Sequence, residues 1–244
     1  MRSITPMLVC CLFLTAAVFS PRRSYTAERP SSIEPLGSTL PAVQCVEESR
    51  LQDNLITLKK QVSDAESFKI RNYLHAAARR SAVCRQRVIR ALMNAMDQPG
   101  TELERYPLWD NGARVLAELR AVEALDLLIT NLGFTDDFSI SMSHYPSVSA
   151  VIDIGLPALS KLEIVLNQNP NPNMRKLAAF CVAKIGGPRA RSMLKKASSR
   201  ESNECVNRFL RISLEMFANK TRPNHIPYGK ENSKWFGAFY CFTE

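Results

Sequence analysis

Histidine is nearly absent from this chain, with three residues in 244, at positions 75, 144 and 225. They are too widely spread to mark a metal site or a histidine-based triad by spacing, which weakens any reading built on imidazole acid–base chemistry. Signatures of phosphate, nucleotide and hydrolase chemistry are missing too: there is no G-x-S-x-G, no H-E-x-x-H, no Walker-type loop and no G-x-G-x-x-G. No C-x-x-C occurs, so neither a zinc ribbon nor a thioredoxin-type redox pair is marked. Asp136 and Asp137 lack the alternating ligand spacing of a calcium loop. The body of the chain also lacks sustained strand alternation, which points away from a sheet protein. No catalytic residue, metal or cofactor is therefore expected, and an enzyme is not the leading reading.

What the chain does have is apolar material and positive charge: 45% of its residues are hydrophobic, and 32 lysines and arginines against 23 acidic residues give a net charge of +9. That composition suits a single globular body with a surface that favours anionic partners. Residues 7–19 form an apolar run after Arg2. This run has the length of a signal-peptide core and is too short to span a bilayer. Cleavage after Ala17 is expected, giving a secreted or periplasmic protein with no transmembrane span. Residues 18–41 carry Pro21, Pro30, Pro35 and Pro41 among serines and charges and read as a flexible linker. With Cys10 and Cys11 removed, Cys45, Cys84, Cys181, Cys205 and Cys241 remain. An odd set allows at most two disulfides and one free thiol; a Cys205–Cys241 bridge is compatible with the sequence, which does not fix connectivity.

From Ala42 the apolar spacing becomes helical. Placed on one helix at about 100° per residue, Ile70, Tyr73, Leu74, Ala77, Cys84, Val88, Ala91, Leu92 and Ala95 share a stripe that must be buried, while Arg79, Arg80, Arg87 and Arg90 lie away from it. Sliding the segment 174–186 (MRKLAAFCVAKIG) along the chain finds counterparts starting at 143, at 108 and, downstream, at 206. The starts differ by 35, 31 and 32 residues on subtraction, a supersecondary period. Gly155-Leu156-Pro157 and Gly186-Gly187-Pro188 follow two of these segments, and each combination ends one helix and opens another. Turns are thus expected near Arg120, Gly155 and Gly186.

The template, with Met174-Arg175, Ala178-Ala179 and Ile185-Gly186, resembles the HEAT-like repeat pattern V-R-x-x-A-A-x-A-L-G-x-I-G. The resemblance implies an all-α solenoid of about four to five stacked antiparallel hairpins over residues 42–217, followed by an aromatic tail, 218–244, that caps the last unit. It also implies an interaction scaffold whose partner is another protein or an anionic surface, of unknown identity and stoichiometry. Two other HEAT-like activities are weighed against it: a bilin-lyase-like enzyme handling a chromophore, and nucleic-acid binding, both of which sit poorly with export. The candidate contact residues are Arg189, Arg191, Lys195 and Lys196 on the segment 188–200, which carries five basic residues and no acidic one, together with Arg79, Arg80, Arg87 and Arg90. The loop 134–147, with Asp136, Asp137, His144 and Tyr145, reads as a solvated insertion between units.

Overall fold

The computed structural model describes residues 45, 47–135 and 145–218. The chain divides into two units, 1–42 and 43–244, and every described residue belongs to the second. The described residues form ten α-helices and two short 3-10 turns, with no strand among them: α1 (Glu48–Lys59), α2 (Asp64–Ala78), α3 (Ala82–Met96), α4 (Glu102–Glu118), α5 (Leu125–Thr130), α6 (Pro146–Ile154), α7 (Leu159–Gln168), α8 (Pro172–Ile185), α9 (Gly187–Ser198) and α10 (Glu204–Ala218).

The helix starts follow local chemistry. Ser63, Ser81, Asn171 and Asn203 each accept a backbone N–H of the first turn of α2, α3, α8 and α10. Thr101 and Glu104 form a reciprocal capping box on α4. α7 and α9 instead follow the glycine–proline turns. Gly155 (φ +83°, ψ −136°) and Gly186 (φ +75°, ψ −170°) occupy backbone regions that a Cβ excludes. The third expected turn falls at Arg120, which takes φ +49° without being glycine. There the N–H of Arg120 donates to Ala117 C=O and that of Ala121 to Leu116 C=O, closing α4 with a Schellman pattern.

Packing runs in two successions. α2 touches α4, α4 touches α6, α6 touches α8 and α8 touches α10; beside them α5 touches α7 and α7 touches α9. The four related sequence segments fall in α4, α6, α8 and α10, so the helices they specify are consecutive neighbours. Cys181, Ala150, Val115 and Ser213, equivalent in the template register, are all buried. One turn earlier the same register aligns Ala178, Ser147 and Gly112, small residues at buried positions. A Cβ on Gly112 would stand 2.7 Å from Met96 Sδ, so a side chain there would have to displace the Met96 thioether. Trp109 is fully buried, donates its indole N–H to Met96 C=O at 2.9 Å and lies 4.9 Å from the Phe134 ring. It thereby ties the end of α3 to α4 and to the turn after α5.

Several expectations need correction. The stripe drawn over 64–96 as one helix is split by the turn Arg79–Ser81, because the Ser81 side chain caps a new helix and its extended backbone (φ −165°) cannot continue the old one. Cys84 is not merely an apolar stripe residue; it is bonded to Cys45, 39 residues away. The α4 helix also starts at Glu102, six residues before the related segment at 108, because the capping box reaches back past Pro107. The signal segment, linker and C-terminal tail lie outside the described residues, as do Asp136, Asp137, His144 and Cys241. Tyr145, expected in a solvated insertion, is buried.

Candidate partner-binding surface

α9 divides as its sequence pattern predicts. Ala190, Met193, Leu194 and Ala197 are buried, and Arg189, Arg191, Lys195 and Lys196 are exposed. The four cations are not equivalent. Arg189 Nη2 is 3.1 Å from Ser160 Oγ and 3.8 Å from a Glu163 carboxylate oxygen on α7, and Lys196 Nζ reaches the same carboxylate at 4.0 Å. Arg191 and Lys195 instead line, with Gly187, Pro188 and Ser192, a shallow concavity of about 460 Å³. Glu163 is the single carboxylate to which the ion pairs of these four cations go among the described residues.

The second basic group is more heavily engaged. Arg79 is exposed where α2 ends. Arg80 donates to the Cys45 carbonyl at 2.6 Å, holding the segment before α1 against the α2–α3 turn. Arg87 pairs with Glu48 of α1, whose carboxyl lies below its ordinary range because Gln52 and Arg87 donate to it. Arg90 lines a groove of about 450 Å³ between α1 and α3 with Glu48, Gln52, Gln86, Arg87 and Asn94. Acid and amide groups temper the charge of this groove, whereas the α9 face has no acidic residue of its own.

Several polar groups escaped the sequence reading because the repeat pattern disguises them. Lys176 and Lys184 lie on α8 and are buried, and desolvation lowers both ammonium groups, Lys184 to about 8. Lys184 Nζ stands 5.4 Å from the Phe180 ring centroid. Arg175 points to the ends of two loops rather than to solvent. It donates to both oxygens of Glu201 at 2.8 and 2.9 Å and to the carbonyls of Asn169 and Pro170. Cys181 is a buried free thiol, and burial pushes it far above the usual cysteine range, which disfavours the reactive thiolate. Cys205 is disulfide-bonded, and the proposed partner Cys241 is outside the described residues.

No protein-family model, curated protein or solved structure matches this chain.

Proposed function

We propose that the chain is an exported interaction scaffold, a solenoid of HEAT-like hairpins that presents the basic face of α9 to an anionic partner. The observation that carries this reading is the sorting of α9: Ala190, Met193, Leu194 and Ala197 are buried, and four cations are exposed, of which only Arg189 and Lys196 approach a carboxylate, that of Glu163. Two rows of successive helix contacts support the stacked-hairpin architecture, since no single hairpin buries its stripe alone. Export is supported by the Cys45–Cys84 disulfide and by the bonded state of Cys205, because such bonds persist in oxidising compartments.

The test replaces Arg189, Arg191, Lys195 and Lys196 with glutamine. Material co-purifying with the mature protein from its native host is identified, and the affinity of both forms for it is measured at low and moderate salt. Loss of affinity together with a shallower salt dependence is expected. A folded variant with unchanged affinity and salt dependence removes α9 from the binding site, and an absorbing group carried by the recovered protein favours the chromophore-handling alternative.

A further inference from the structure

Beside the α9 cations runs an apolar line that the core does not use. Leu156 is 67% exposed and Ile164 58% exposed, while the neighbouring Leu159, Leu162 and Leu166 of α7 are buried. Leu156, Ser160 and Ile164 follow one another at intervals of four residues, which sets them along one side of the 3-10 turn and α7, roughly 12 Å from end to end at about 1.5 Å per residue. Arg189 joins this line to α9: its guanidinium bonds Ser160 Oγ, midway between the two apolar side chains, and approaches Glu163. Further from the line, Arg191 and Lys195 flank the concavity on α9. An exposed apolar ridge edged by cations on a neighbouring helix is complementary to a helix with one apolar and one acidic side.

Resting on the basic-face reading above, we infer that the α7–α9 surface docks an acidic amphipathic helix of a partner protein, with its apolar side on Leu156 and Ile164 and its carboxylates toward Arg191 and Lys195. Charge complementarity selects the sign of the partner. The ridge supplies what charge alone does not, a preference for a helix carrying leucine among its glutamates over an anionic polymer with none. Ser160 and Glu163 hold Arg189 at the border, so the cation row stays in register with the ridge.

The probes are a synthetic leucine–glutamate amphipathic helix, the same peptide with serine for leucine, and a short DNA duplex, each titrated against the full chain by fluorescence anisotropy. Wild-type protein is expected to prefer the leucine peptide over the serine peptide by about tenfold, the contribution of burying one or two half-exposed aliphatic side chains. The double variant Leu156→Ser/Ile164→Ser should lose that preference and keep its affinity for the serine peptide. The variant Arg191→Gln/Lys195→Gln should weaken both peptides. All substituted side chains are exposed, and circular dichroism checks that each variant remains helical. A preference for leucine that survives removal of the ridge overturns this inference and leaves the basic-face reading standing. Unchanged binding on removal of the two cations overturns the placement of the carboxylates and with it this inference, while the basic-face reading is decided by the fourfold glutamine variant. Tighter binding of DNA than of the leucine peptide overturns the protein-helix assignment in favour of a nucleic acid.

Discussion

The clamp between Arg175 and Glu201 offers the sharpest test of how α8, α9 and α10 are held together. Arg175 comes from the first turn of α8 and Glu201 from the loop joining α9 to α10, and their side chains are 15% and 8% exposed. The guanidinium donates to both carboxylate oxygens and to two carbonyls of the α7–α8 loop, so one side chain closes two loops. Removing one partner of a buried pair strands the other charge, at a cost of about 3–5 kcal/mol. Glu201 is flanked by exposed Arg200 and Ser202, so water is near, and the lower end of about 3 kcal/mol applies to Arg175→Met. Burial works to raise the Glu201 carboxyl, but the Arg175 hydrogen bond and the N–H groups of Asn203 and Ser202 outweigh it and hold the group below its ordinary value. A carboxyl depressed in the folded state contributes stability that is present above its unfolded pKa and is lost as pH falls through the folded one. Urea unfolding of wild type, Arg175→Met and Glu201→Gln from neutral to acidic pH should show part of the acid sensitivity vanishing in both variants. The double variant should lose less than the sum of the singles. A cost below about 1 kcal/mol for Arg175→Met, or strict additivity, would refute the clamp.

Arg120→Gly should raise stability by roughly 0.5–1 kcal/mol in thermal unfolding, because the left-handed backbone at φ +49° is strained for arginine and free for glycine, less the added freedom of the unfolded chain. Replacing Cys45 and Cys84 with serine reopens a loop of 39 residues and should cost about 4 kcal/mol on chain entropy, read as a lower urea midpoint. Non-reducing peptide mapping of the mature protein should find Cys45 joined to Cys84, Cys205 joined to Cys241, and Cys181 resistant to alkylation until the protein unfolds.

The all-helical fold and its break points were legible because they rest on short-range chemistry: apolar spacing of three and four, and glycine or glycine-like turns at 120, 155 and 186. The inward and outward sides of α9 were legible for the same reason. What escaped depends on contacts distant in sequence. Nothing local marks Cys84 for Cys45 rather than for another cysteine, since the pairing follows from α1 lying beside α3. Nothing local sets Lys176 and Lys184 apart from ordinary helix cations; only the packing around α8 buries them. In sequence Arg175 is one letter of a pattern, and its role as a loop clamp becomes visible only with Glu201 placed 26 residues away. The capping box Thr101–Glu104 is a local signal as well, but it lies before residue 108, outside the related segments.

The cations of α9 can be divided by asking which of them stability already accounts for. Lys195 and Lys196 lie in the last turn, where the helix dipole favours positive charge by about 0.3–1 kcal/mol. Arg189 sits in the first turn at the unfavourable pole, but Ser160 and Glu163 offset that position. Arg191 has neither compensation: it is exposed, and Lys195 stands four residues on, a like-charge spacing that costs a few tenths of a kcal/mol. A residue that costs stability where it stands is the strongest candidate for a residue kept by binding. Arg191→Glu puts an acid four residues before Lys195, the favourable order for a helical ion pair, and should raise stability by about 0.3–0.5 kcal/mol. The same change reverses the charge in the concavity of α9 and should weaken binding of the leucine–glutamate helix by at least tenfold, with the salt dependence reduced. Opposite signs in the two measurements separate a binding role from a structural one. A variant that is stabilised and binds as well as wild type would show that Arg191 is only a tolerated surface charge.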